Sequence, residues 1–180
     1  TQVQAVHTAS TLSAQGCMPV EQLQQRIGQW VGKVPYSHKT NKSLGYPTDC
    51  SGFVSWALNS TPEKAFEWGD DSFSSVVAAD DLRFGDIFTH VYGCDMKTPE
   101  SYISGHVFFF DKLENSTHVW AYESTETFNV TPECKARKAP CYNHHVLKRL
   151  GEYTPWAHER CQSKSHGVVH GGPRRMSPNI

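Results

Sequence analysis

Cys50 is the side chain in this sequence best placed to do covalent chemistry. It stands in the run Asp49-Cys50-Ser51-Gly52-Phe53-Val54-Ser55-Trp56-Ala57-Leu58, with Pro47 and Thr48 just before it. Phe53, Val54, Ala57 and Leu58 recur at helical spacing and predict a core-facing helix that opens at the cysteine. Asp49 is a favoured N-cap type, so the first turn would form beside the sulfur. Backbone N–H groups of a first turn lack intrahelical partners and carry partial positive charge, which favours a thiolate, the reactive form of cysteine. The chemistry suggested is nucleophilic attack on an acyl carbon. The competing reading is a buried structural cysteine, free or bridged, opening an ordinary core helix.

A cysteine nucleophile needs a base within hydrogen-bond reach and a third group that orients the base. His106 follows Gly105 at the start of the apolar run Val107–Phe110, near a strand end where a side chain can face a cleft. The polar stretch Lys112–Thr117 separates this run from the next, His118–Ser124, and predicts a hairpin. A turn about Asn115 sets His106 across from about Ser124 and makes Glu123 a diagonal neighbour. The Glu123 carboxylate could accept a hydrogen bond from the imidazole and fix its tautomer. His118 is the alternative third residue, though it sits nearer the turn. The plain reading of Glu123 is a solvent-facing residue on an edge strand.

The elements that must hold these residues read as helices first and strands second. Pro19 suits a first helical turn, and Val20, Leu23, Ile27 and Trp30/Val31 form one apolar stripe, which predicts a helix from Pro19 to Val31. A polar loop, Ser37–Thr48, leads to the Cys50 helix, which stops near Asn59–Pro62. A short helix is expected around Ser74–Ala79. The period then changes to strands at Asp86–Tyr92, Gly105–Asp111 and His118–Ser124, with a fourth at His145–Leu150. The fold class is α+β, with N-terminal helices packed on a central antiparallel sheet. The expected organisation is a flexible segment over 1–16, one catalytic domain over 17–160, and a C-terminal tail over 161–180, which overlaps the basic, His-rich stretch His158–Arg175.

A chain of 180 residues suits one domain. The net charge of −1 gives no basic field for nucleic acid, and no apolar run approaches the roughly 20 residues of a membrane span. The chain begins at Thr1 and shows no signal peptide, so a leader is expected to have been removed or to lie outside this sequence. Six cysteines (Cys17, Cys50, Cys94, Cys134, Cys141 and Cys161) and four N-glycosylation sequons (at Asn41, Asn59, Asn115 and Asn129) point to a secreted, extracellular protein. Cys134 and Cys141 are the easiest pair to close, and the other pairings stay open. Three disulfides including Cys50 would abolish the catalytic reading. The ten histidines and six cysteines contain neither a Cys-x-x-Cys pair nor a His-Glu-x-x-His element, so no metal site is expected.

The set Pro35-Tyr36, Asp49-Cys50-Ser51-Gly52-Phe53-Val54, Leu82-Arg83-Phe84-Gly85-Asp86-Ile87-Phe88 and Gly105-His106-Val107 resembles the NlpC/P60 family in order and spacing, over about residues 24 to 124. These are papain-like cysteine peptidases that cleave peptidoglycan stem peptides. The resemblance implies a helix-packed antiparallel sheet and cleavage between D-glutamate and a diamino acid, often beside a free N-terminal L-alanine. It implies Cys50 as nucleophile, His106 as base, and Tyr36 lining the substrate site and assisting the oxyanion. Asp49 and Ser51 would hold the substrate amine. The family's third residue is usually His, Asn or Gln, so Glu123 departs from the pattern. The insertion Tyr92–Ser104 is long, and the region after Cys134 has no counterpart.

The expected function is therefore a secreted, monomeric cysteine peptidase acting on bacterial peptidoglycan peptides without a cofactor. If the sequons mean a eukaryotic source, its targets are other organisms' cell walls. The alternatives are an N-acetylmuramoyl-L-alanine amidase, another acyl hydrolase or acyltransferase on the same fold, and a non-catalytic cell-wall binding module.

Overall fold

The computed structural model describes residues 18–94, 103–125, 144–152, 157–162 and 168–177. The expected flexible segment 1–16, Cys17, Cys134, Cys141 and Asn129 lie outside these residues. Helix α1 (Val20–Trp30) buries Leu23, Ile27 and Trp30 of the predicted stripe, while Val20 in its first turn is exposed. Strands β1 (Thr40–Asn41) and β2 (Tyr46–Pro47) form a small hairpin that feeds α2 (Cys50–Ala57). The Asp49 side chain caps α2 by accepting from the Gly52 N–H at 2.8 Å. No described helix is long and apolar enough to cross a membrane.

The remaining elements make the chain α+β. They are β3 (Ser74–Val76), β4 (Ile87–Cys94), β5 (Ile103–Asn115), β6 (His118–Glu123), β7 (His144–Arg149), β8 (Ala157–Gln162), β9 (Val168–His170) and β10 (Gly172–Met176). Six of them form an antiparallel sheet in the order β3-β10-β4-β5-β6-β7, while β8 and β9 pair separately. The expected helix at Ser74–Ala79 is instead β3 followed by a 3₁₀ turn at Ala79–Asp81. Strand pairing with β10 overrides local helical periodicity there.

Strand β5 is buried on both sides. Its Val107 and Phe109 pack with Ile87 beneath Leu23, Ile27, Trp30, Phe53, Val54 and Ala57 of the helices. Phe53 meets Phe109 edge-to-face, with ring centroids 5.5 Å apart. The alternate residues Phe108 and Phe110 form a second core with Phe88, Val119 and Ala121. This double burial explains why 107–110 reads as an unbroken apolar run.

The segment 161–180, expected as a tail, contains β10. This strand inserts between β3 and β4 and completes the sheet. The reason is its two arginines, which give a polar, basic segment something to bind inside the fold. Arg174 is fully buried, and its guanidinium donates to Ser74 Oγ at 2.6 Å, Ser74 O at 2.5 Å and Asp71 Oδ1 at 2.5 Å. Arg175 grips both carboxylate oxygens of buried Asp86, at 2.9 and 2.8 Å. Asp86 Oδ2 also accepts the Arg83 N–H, so this carboxylate both shapes the turn into β4 and clamps β10. A chain ending at Gly171 loses the whole device. Its melting temperature is expected to fall by about 10 °C or more; an unchanged melt by circular dichroism would show β10 to be dispensable.

Candidate active site

Cys50 is the first residue of α2, buried, and carries a free thiol. The disulfide reading of this residue is thereby excluded. Two close approaches put it there. A Cβ on Gly52 would lie 1.9 Å from the Pro47 carbonyl oxygen, so only glycine lets the incoming chain pass so near the first turn. Ser124 Oγ donates to the Thr48 carbonyl at 3.1 Å, while Thr48 and Ser37 exchange backbone hydrogen bonds at 2.9 and 3.4 Å. The segment that enters α2 is thus fastened to the end of β6.

His106 lies on β5 opposite His90 of β4. Gly105 is a glycine because β4 runs close beside it: a Cβ would meet the His90 carbonyl oxygen at 2.8 Å. His106 Nε2 lies 2.7 Å from Glu123 Oε2, with both side chains largely buried. With Nε2 engaged, Nδ1 is the ring nitrogen left for the hydrogen bond that His106 makes with Cys50. The three residues form one chain, from sulfur through imidazole to carboxylate. Burial of the ring pushes its proton off. The hydrogen bonds to Cys50 and Glu123, and the negative charge on each, outweigh that effect and raise the imidazole pKa from 6.5 to about 9.

The register of the hairpin makes this contact possible. Its turn is Ser116-Thr117, with Asn115 opposite His118, and two bulges in β5 skip Asp111 and Glu114. They bring Phe109 opposite Tyr122, so Phe108 falls opposite Glu123 and His106 is its diagonal neighbour on the same face. Unbulged pairing from the turn would set Glu123 opposite Phe110, four residues or ~13 Å along the strand from His106. Both skipped side chains are held: Asp111 Oδ2 lies 3.0 Å from His145 Nε2, and Glu114 Oε2 accepts from Trp120 Nε1 at 2.6 Å. The alternative third residue, His118, sits at the far end of β6, where its Nδ1 bonds Thr117 Oγ1 at 2.8 Å. It is not part of the cluster.

Asp49 and Ser51 are also brought together. Ser51 Oγ donates to Asp49 Oδ1 at 2.9 Å, the same oxygen that caps the helix. Asp49 Oδ2 faces the exposed His38, whose Nδ1 lies 3.4 Å away. Tyr36 packs edge-on against His38, with centroids 5.2 Å apart, and so stands on the Asp49 side of the site. Sequence reasoning missed His38 and Lys148. The Nζ of Lys148 lies 2.5 Å from Glu123 Oε2 and 4.7 Å from the Phe108 ring centroid. Its signal was present but weak: one of two adjacent cations, Lys148 and Arg149, in the fourth predicted strand, whose register nothing local specifies. Among the described residues no group of three or more His, Cys, Asp or Glu is placed to hold a metal ion.

Comparison of the chain with protein-family models, with curated proteins and with solved structures found no match.

The raised pKa has a direct consequence. The His106 ring is expected to keep its proton as pH rises through 6.5 and to lose it near 9. Replacing Cys50 with serine removes a charge and a strong acceptor, so the midpoint should fall. Imidazole NMR titration of the wild type and Cys50→Ser checks both; a wild-type midpoint near 6.5, or no fall in the variant, would contradict the assignment.

Proposed function

We propose that this protein is a secreted cysteine peptidase with a papain-like, NlpC/P60-type fold that hydrolyses bacterial peptidoglycan stem peptides at the bond between γ-D-glutamate and a diamino acid. The observation that carries the reading is the chain Cys50–His106–Glu123 at the N-terminus of α2. The order of the motifs around it supports the substrate class. In this reaction the Cys50 thiolate attacks the amide carbonyl carbon and forms a tetrahedral oxyanion. The Cys50 N–H, in the helix's first turn, and the Tyr36 hydroxyl stabilise that charge. His106 gives its proton to the leaving amine as the C–N bond breaks, leaving a thioester on Cys50. Water then attacks the thioester, His106 takes its proton, and the acid departs as the thiolate–imidazolium pair re-forms.

Asp49 binds the substrate's free amine through Oδ2, since Oδ1 is occupied by Gly52 and Ser51. Ser51 contributes by aiming that carboxylate, not by touching the amine. His38 borders the same oxygen and shapes the entry to it. The protein acts as a monomer outside the cell, with bacterial cell-wall peptides as its partner.

A synthetic L-Ala–γ-D-Glu–diamino acid peptide tests the mechanism. Cys50→Ala is expected to lower kcat/KM by about 10⁴-fold or more, and Glu123→Ala by about 10²-fold, while the far-ultraviolet spectrum stays native. Cleavage by Cys50→Ala at the wild-type rate would refute it. Activity of the wild type should also decline as pH rises past about 9, as the imidazolium that protonates the leaving amine is lost.

A further inference from the structure

As the third member of such a chain Glu123 makes a strong proton trap, because it is a buried carboxylate beside a histidine. An isolated buried carboxylate resists ionisation, and an ionised one binds the neighbouring imidazolium tightly. Either way the His106–Glu123 pair gives up its last proton late, whereas a general acid works best when its affinity is matched to the operating pH. The structure supplies a counterweight. Lys148 on β7 places Nζ 2.5 Å from the same Oε2 that bonds His106 Nε2 at 2.7 Å. The ammonium is itself largely buried, and it lies 4.7 Å from the Phe108 ring centroid, on the strand that carries His106.

We propose that Lys148 is a positioning residue that works through Glu123: it keeps the carboxylate ionised and limits how tightly His106 holds its proton. This rests on the reading of Cys50 and His106 as a catalytic pair. With Lys148 in place, one positive charge remains beside Glu123 after His106 has lost its proton, so deprotonation leaves a neutral ion pair. Without it, deprotonation leaves the buried carboxylate's negative charge without that ammonium beside it, and the proton stays on the His106–Glu123 pair to higher pH. The sign is the same whichever of the two atoms carries that proton. Because Glu123 stays ionised, it also keeps Nε2 as the protonated nitrogen of the neutral ring, leaving Nδ1 bare toward Cys50. Among the described residues, the titratable groups facing His106 from the neighbouring elements are Cys50 on α2, Glu123 on β6 and Lys148 on β7, with His90 opposite it on β4.

The test uses the whole protein and no peptide substrate: the pH dependence of Cys50 alkylation by iodoacetamide, with NMR titration of the His106 ring. Lys148→Met and Lys148→Gln are expected to move the alkaline transition up by about one pH unit, and Lys148→Arg to leave it in place. A neutral variant whose transition stays put or moves down overturns the proposal. The wild type gives a second check that does not depend on folding of a variant. Above the transition, nitrogen NMR of the ring should show Nε2 protonated and carbon NMR of the Glu123 carboxyl should show it ionised; an Nδ1-protonated ring or a protonated Glu123 overturns it. Alkylation and titration report on the pair even if no stem peptide is cleaved. Failure of the peptidase reading is therefore distinguishable from failure of this one.

Discussion

The contact on which the site depends is the 2.7 Å hydrogen bond between His106 and Glu123, which joins two strands at the open end of a hairpin. Side chains that face each other across a pleated sheet are set by register, and a slip of one residue turns a strand's whole set of side chains to the other face. Here two extra residues in β5 return the register to the value the contact needs. The bulged residues are charged, and each is held by a ring of the neighbouring strands: Asp111 by His145 and Glu114 by Trp120. Polar groups remote from the sulfur thereby decide whether its base can be oriented at all.

The second constraint brings the helix to the sheet. Helix α2 is short, so its position comes from burial of Phe53, Val54 and Ala57 and not from its own stability. That packing fixes its axis, while the Thr48 carbonyl, held by Ser124, fixes where it starts. Ser124 is the residue after Glu123, so one strand end anchors both the nucleophile's helix and the carboxylate. The arrangement is rigid where the chemistry needs it. Strand β5 beneath is buried on both faces over Val107–Phe110, and the order of the sheet is completed by β10, whose arginines bind Asp71, Ser74 and Asp86.

Much of this was legible in the sequence, for local reasons. The α1 stripe, the start of α2 at Cys50, and strands β4, β5 and β6 follow from periodicity and capping alone. Glu123 was reached from a turn placed near Asn115 without bulges. The actual turn lies farther along, and the bulges largely offset the difference. No propensity rule announces a bulge at Asp111 or Glu114, because the partners that hold them come from β6 and β7. The same is true of β10. A segment with two adjacent arginines reads as solvated until Asp86 and Ser74, about a hundred and fewer residues upstream, are known to receive it. Lys148 was invisible for a related reason, since its meaning lies in Glu123 across a strand pair.

The most direct measurement is digestion of purified peptidoglycan by the intact protein, with mass analysis of the released fragments. The account predicts fragments cut between γ-D-glutamate and the diamino acid, each cut exposing one new α-amine on the diamino acid, and none from a protein alkylated at Cys50. Stem peptides released whole from the glycan, or a wall that is bound but left uncut, would contradict it.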